Sequence, residues 1–507
     1  MTPPLPKNRL RPLGLAAGLA LLGNAAWADE SFWPADPLDA GATVSATPAR
    51  AGAGGNETCL SAPTAGGQAW SLLDVVNQAL CHNPQTRQAW ANARAQAALL
   101  GTALAAYSPT VTASGSVSHG KGNIGGNSQN SLLSGQSSSF GFSSSSSTSS
   151  AGGSQTTQTR ATPMLSVNYL LFDFGGRDAK AENARQALEA ANWSHAATLQ
   201  TVLFTAIQAY YQVFATQEAL ASAETAEKSA AAAFEAAKFR HEVGAAALAD
   251  QLQAQTAYAQ TKFNRQKAFG DAQNALGVLA NTLGLDADTP IRVEPPAQAQ
   301  PDDGWQRNVH ALIEEAKAAR PELAAAEAQV KAAEAGVASA KAGAMPSVSL
   351  VGNYGYTESS AYQGMQTWAV GVQLSVPLFT GFANTYQIHN AEQQVAAQEA
   401  NRDKILQSVA LDVWRAYHDL NTARETFRSS ADLLASATQS EKVAMGRYKA
   451  GAGNFLDLLS AQASLASARF QHIQARYNWH IGKAKLAQAL GHLDQAEAET
   501  AAPPTVN

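Results

Sequence analysis

Two kinds of periodicity divide this chain. Four segments alternate apolar with small or polar residues at every second position. The clearest places Trp368, Val370, Val372, Leu374, Val376 and Leu378 on one face and Ala369, Gly371, Gln373, Ser375 and Pro377 on the other. Leu165 to Leu171 repeats the pattern, and Val111 to Val117 and Val348 to Tyr356 are weaker versions. Each covers about 9 to 11 residues, the length of a strand crossing a bilayer in a β-barrel. Two hairpins of a soluble domain would alternate in the same way. Elsewhere the period is helical. No proline interrupts Gly176 to Val243, where Leu199, Leu203, Ala206, Tyr210, Val213, Gln217 and Leu220 step by alternating four and three. Leu406, Ala410, Val413, Tyr417, Leu420, Arg424 and Phe427 repeat the stepping. Heptads of this kind predict coiled-coil seams. Each long helix would extend about 100 Å at the usual helical rise. Leu72 to Tyr107 and Ala245 to Leu283 read as shorter helices, which placed end to end match one long helix.

The same elements occur twice. Asn83–Pro84 recurs as Arg320–Pro321, and Pro109 as Pro346, both 237 positions on. Leu171–Phe172, Arg240 with Gly244, Asp250 and Leu283–Gly284 recur as Leu378–Phe379, Arg447 with Gly451, Asp457 and Leu490–Gly491, all 207 positions on. The halves are therefore copies, and the first carries a 30-residue insertion between Pro109 and Leu171. That interval holds the Ser- and Gly-rich stretch 120–160, too polar to build a core and expected as an exposed, mobile loop. The expected organisation is residues 29–70 as a flexible N-terminal arm, 71–285 as the first repeat, 286–305 as a Pro- and Asp-containing linker, 306–492 as the second repeat and 493–507 as a tail. In each repeat a short helix climbs to a hairpin, a long helix descends the whole height, and a second short helix returns from a tip. The fold class is α+β, with four strands per chain. Four strands cannot close a barrel, so copies of the chain must share one.

Composition narrows the function. Only 15% of the 507 residues are charged, and the net charge is −5 with no block of five or six like charges, which leaves no footprint for nucleic acid. Mean hydropathy is −0.19, and past the N-terminal stretch no window is apolar enough for a membrane-spanning helix. Lys7, Arg9 and Arg11 precede an apolar run from Leu13 to Leu22 and then Ala26–Trp27–Ala28. This order predicts a secretory signal, residues 1–28, cleaved after Ala28. In an exported chain the two cysteines, Cys59 and Cys81, favour a disulfide over a metal site. His82 beside Cys81 reads as a solvated helix-terminal residue. The ten histidines are scattered, and neither Gly-x-Ser-x-Gly nor His-Glu-x-x-His occurs. No enzymatic activity, cofactor or metal is expected.

Leu80 with Asn83–Pro84, Tyr107–Ser108–Pro109, Leu378–Phe379–Thr380–Gly381, Arg240 to Gly244 and Arg447–Tyr448–Lys449–Ala450–Gly451 followed by Asp457 to Gln462 together resemble the TolC family of outer-membrane efflux and secretion channels. The resemblance covers Ser71 to His492. It implies a homotrimer whose strands form one 12-stranded barrel in outer-membrane lipid, above a helical tunnel crossing the periplasm. It also implies a periplasmic adaptor docking at the helical tip and an inner-membrane pump of the ABC or RND type. Cys81 after Leu80, with Cys59 upstream, resembles type I secretion members. Family gates carry links between neighbouring coil tips and a ring of aspartates, positions matched here by Tyr448, Asp250 and Asp457. Gly453 and Ser460 stand where the family has a basic gate residue and a second ring acid. Gly244 and Gly451 turn the two tips. The expected function is a passive exit duct for type I protein secretion, with small-molecule efflux of drugs or metals as the alternative. A trimeric coiled-coil adhesin would also use heptads and a Ser-rich segment, but needs no second hairpin in register.

Overall fold

The computed structural model describes residues 36–50, 69–123, 155–296, 308–360 and 362–493. The signal segment, Cys59, the middle of the Ser-rich stretch, residues 297–305 of the linker and nearly all of the tail lie outside them. The described elements are α1 (Leu72–His82), α2 (Pro84–Ala105), β1 (Thr110–Asn123), β2 (Gln155–Phe172), α3 (Gly176–Glu242), α4 (Leu248–Thr282), α5 (Val309–Ala319), α6 (Pro321–Gly343), β3 (Ser347–Ser359), β4 (Tyr362–Ser375), α7 (Ala383–Lys449) and α8 (Phe455–Leu490).

The first short helix of each repeat is broken in two, where the sequence pattern predicts one continuous helix. Ser71 starts α1 with a capping box: its Oγ accepts from the Asp74 N–H at 3.2 Å, and Asp74 accepts from the Ser71 N–H at 3.0 Å. Pro84 then forces Asn83 into an extended conformation (ψ 131°), ending α1 and opening α2. Pro321 does the same to Arg320 (ψ 121°).

Each break receives the end of the helix that returns to it. Asn83 Nδ2 donates to the carbonyl of Thr282 near the end of α4 at 2.9 Å. Arg320 Nη1 donates to the carbonyl of Ala489 near the end of α8 at 3.3 Å. Gly284 and Gly491 follow with φ of 72° and 81°. A Cβ on Gly284 would stand 2.5 Å from the His82 carbonyl oxygen, and one on Gly491 2.9 Å from that of Ala319. Glycine is required both for the left-handed turn and for the approach of backbone to backbone. His82 belongs to this joint: it is half-buried, and its Nδ1 is sealed from solvent without a hydrogen-bond partner. The expectation of a solvated histidine fails because the returning chain covers it.

The helical unit (residues 1–101, 182–334 and 393–507) holds the core. Val75, Val76 and Ala79 of α1 pack with Leu203, Ala206, Tyr210 and Val213 of α3 and with Leu279 and Leu283. In the second repeat Leu312 and Ala316 pack with Val409, Val413, Ala416 and Leu420 of α7 and with Trp479 and Leu486 of α8. Val409 and Ala416 take the buried positions that the heptad stepping assigns to Ala410 and Tyr417. The buried face of α7 meets both α5 and α8, so it is wider than a two-helix seam. Residues 36–50, expected as part of a flexible arm, also pack here. Trp90 Nε1 donates to the Ser45 carbonyl at 2.8 Å, and His195 Nε2 donates to that of Pro48 at 2.9 Å.

The second unit (residues 102–181 and 335–392) carries one antiparallel sheet in the order β1–β2–β3–β4. Its central pairing, β2 with β3, joins the two repeats from Arg160 opposite Ser359 to Phe172 opposite Val348. The strands have 13 to 18 residues and outrun the alternating segments. Pairing continues into the Ser-rich stretch as far as Asn123 opposite Gln155, because a backbone ladder needs no apolar face. Trp368, Val370, Val372 and Leu374 leave one face of β4 bare, Trp368 being 77% exposed. No helix among the described residues is long and apolar enough to cross a membrane.

Candidate functional site at the paired helical tips

Both coils of the helical unit turn with the same backbone device. At the first tip the Ala245 N–H donates to the Arg240 carbonyl at 2.7 Å and the Gly244 N–H to that of His241 at 2.9 Å. At the second, Ala452 donates to Arg447 at 2.9 Å and Gly451 to Tyr448 at 3.1 Å. Gly244 and Gly451 have φ of 74° and 72°. These are Schellman closures, which satisfy the last carbonyls of α3 and α7.

The side chains then diverge. Asn454 Oδ1 accepts from the Leu456 N–H at 2.8 Å and starts α8 sharply, whereas Ala247, its counterpart before α4, supplies no side-chain cap. Asp457 and Asp250 each lie in the first helical turn, where the N-terminal dipole favours a carboxylate. Asp457 is exposed and Asp250 half-buried. A Cβ at Gly453 would lie 3.0 Å from the Arg447 Cβ, so glycine here leaves room for the chain to turn closely against α7. Arg447, Gly453, Asp457, Ser460, Ser436 and Ser440 line an open groove of 770 Å³ on this coil.

Tyr448 is buried among Ala233, Ala237, Ala254, Phe455 and Leu458, with its ring centre 5.5 Å from that of Phe455. Among the described residues no hydrogen bond joins it to Asp250. Its partner across the tips is Arg240, whose Nη2 donates to the Tyr448 carbonyl at 3.0 Å and whose guanidinium carbon lies 4.2 Å from the ring centre. The structure thus gathers Tyr448, Gly451, Gly453 and Asp457 on one tip and Gly244 and Asp250 on the other. It adds Arg240 as the link, a residue the sequence marks through its recurrence as Arg447 and its place in the Arg240 to Gly244 segment, but not as a gate residue.

A second polar cluster connects α3 to α8. Tyr477 donates its hydroxyl to Glu218 at 2.9 Å, and Arg476 pairs with the same carboxylate. His480 stacks on Tyr211 with ring centres 4.9 Å apart. Burial pushes the Tyr211 phenol up to about 12. Burial, then the charges of Lys483 and Arg476, push the His480 imidazole down to about 4. Among the described residues no three His, Cys, Asp or Glu side chains converge as a metal site.

Residues 75–285 and 312–492 match the family model described as outer membrane efflux protein. The chain is 28% identical over 434 residues to protein CyaE of Bordetella pertussis, covering 84% of this chain and 85% of that protein. It is 24% identical over 328 residues to outer membrane protein TolC of Vibrio cholerae, covering 63% of this chain and 73% of that protein. The solved structure of the Campylobacter jejuni CmeC outer membrane channel superposes with a TM-score of 0.71 at 17% identity, over 86% of this chain and 90% of that one.

Proposed function

The chain belongs to the outer membrane efflux protein family, and on that premise we propose that it forms, as a homotrimer, the passive exit duct of a tripartite export system. An outer-membrane channel protein of this kind does no chemistry, and its work is to offer a continuous wall. The observation that carries the reading is the open four-stranded sheet, whose edge strands β1 and β4 have no partner among the described residues. Unpaired edges with one bare apolar face are unstable alone and are satisfied when copies close a barrel in lipid. Three copies supply twelve strands, which fits the wide, water-filled tunnel of the family. The pairing of β2 with β3 places both hairpins in one sheet. A barrel wall requires that arrangement and an adhesive stalk does not.

The cargo we infer is protein, delivered by type I secretion through a periplasmic adaptor and an inner-membrane ABC pump. The resemblance of Leu80–Cys81, with Cys59 upstream, to type I secretion members supports this. Efflux of small molecules through an RND pump is the second reading, favoured by the family's own description. Sedimentation in detergent, corrected for bound detergent, is expected to give about three chain masses, and a folded monodisperse monomer would overturn the duct. In a deletion strain, loss of one secreted protein at unchanged drug tolerance supports protein cargo. The reverse outcome supports efflux.

A further inference from the structure

The register of the sheet separates two faces. Leu165 of β2 stands opposite Ala113 of β1 and Tyr354 of β3, and Tyr354 stands opposite Trp368 of β4, so the apolar positions of all four strands share one side. The alternate positions carry mostly hydroxyl and amide groups, among them Ser114, Ser116, Thr162, Ser166 and Asn353. Ser116 Oγ and Thr162 Oγ1 meet across the ladder on that side at 2.6 Å. In a barrel in lipid the apolar side faces outward and the polar side lines the water.

Among the described side chains of the strands two are charged, Arg160 and Glu358, and they take opposite sides. Glu358 stands opposite Ala161, in phase with Leu165, and accepts from the Tyr356 hydroxyl at 2.9 Å. Arg160 stands opposite Ser118 and Ser359, in phase with Thr162 and Ser166, and is exposed. It lies eight residues along β2 from Asn168, the partner of Thr110 at the start of β1, or about 27 Å of strand. The residue therefore sits near the end of the apolar band, which is about 25 Å tall, away from where the chain enters β1 and leaves β2. Because β2 is a central strand, no seam between copies covers this position.

We infer that Arg160 and its two copies in the trimer form a ring of guanidinium groups on the inner wall at the outer mouth of the barrel. The ring favours anions, and acidic stretches of a polypeptide, over cations. It rests on the duct reading above and names a residue that selects what passes. Arginine keeps its proton at any working pH, so the charge of the ring is fixed. Its field reaches about 10 Å from the wall at 0.1 M salt, enough to overlap across the lumen, but only about 3 Å at 1 M. The carboxylates at the tips attract cations, so the readout is the change produced at Arg160 rather than the sign of the parent's preference.

Purified full-length protein and its Arg160→Lys, Arg160→Gln, Arg160→Glu and Glu358→Gln variants are compared in planar bilayers by reversal potential across a potassium chloride gradient. At about 0.1 M the ratio of anion to cation permeability is expected to fall about threefold in Arg160→Gln, and further in Arg160→Glu. Arg160→Lys keeps the parent's ratio because the charge remains. Glu358→Gln keeps it because that carboxylate lies on the other side of the sheet. The differences vanish toward about 1 M salt. The ring is overturned if Arg160→Gln and Arg160→Glu both match the parent, or if Glu358→Gln shifts the ratio as far as they do. A folded protein that forms no ion channel in any of these preparations overturns the duct reading, and the ring with it.

Discussion

Replacing Gly284 by alanine tests whether the joint at each proline break is as tight as its geometry. The residue has φ 72°, where any Cβ costs about 1–2 kcal/mol. The new methyl would also stand 2.5 Å from the His82 carbonyl oxygen and 2.9 Å from its carbonyl carbon. Both are backbone atoms at the end of α1 and cannot rotate aside. The joint must open, loosening Leu283 and the fully buried Val75, Val76 and Ala79, at about 1–3 kcal/mol for overpacking of this kind. Gly451→Ala is the control, since it has the same φ of 72° but nothing within 4 Å of the added Cβ. Gly491→Ala, with its nearest atom at 2.9 Å, should fall between the two. The assay is the unfolding rate of the purified protein in detergent at one temperature, followed by helical circular dichroism, because such proteins need not unfold reversibly. Gly284→Ala should unfold faster than Gly451→Ala by on the order of tenfold. Equal rates for the three variants would refute the close approach, leaving only the left-handed strain.

Three other outcomes are expected. His480 binds protons more weakly folded than unfolded, so its contribution is complete above about pH 6.5 and is lost as pH falls toward about 4, at a cost nearing about 3 kcal/mol per chain; melting at pH 4.5 and 7.5 should show this sensitivity reduced in His480→Gln. Asp457→Ala should cost under about 1 kcal/mol of helix stability yet reduce cation preference in a salt gradient across a bilayer, and unchanged selectivity would leave Asp457 as a helix-start residue only. Pairing of Cys81 with Cys59 predicts no alkylated thiol without reductant and, once reduced, a loss of about 3 kcal/mol for a loop of this size; two free thiols by mass would count against it.

Features that repeat along the chain were legible, because helical and strand periods are properties of the backbone and survive any tertiary setting. The seam of Leu203, Ala206, Tyr210 and Val213 is buried as its spacing requires. The break at Asn83 was visible as Asn–Pro but serves the repeat so regularly that it reads as a marker of duplication before it reads as a helix end. Strand length was underread, since β1 extends through Ser118, Gly120 and Gly122, residues with no alternation to display. At the tips the sequence located the turns and the acidic first turns. It did not reveal that Tyr448 faces Arg240 rather than Asp250, because the reach of a long side chain depends on how two coils pack, and no local pattern encodes that.

The contrast between joint and tip shows what duplication has preserved. At the joint the two repeats use different residues, Asn83 and Arg320, to the same physical end. Each donates to a carbonyl near the end of the returning helix while a glycine lets the chains touch. The donor can vary because only a hydrogen-bond donor of sufficient reach is needed. The glycine is the same in both, because a 2.5 or 2.9 Å approach admits no side chain. At the tip the constraint is reversed. The Schellman turn is kept in both copies, while capping, ring and charge differ between them. Two identical tips would each send an arginine to the other's tyrosine and lock the coils symmetrically. With His241 in place of a second tyrosine, one Arg240 contact of this kind spans them among the described residues.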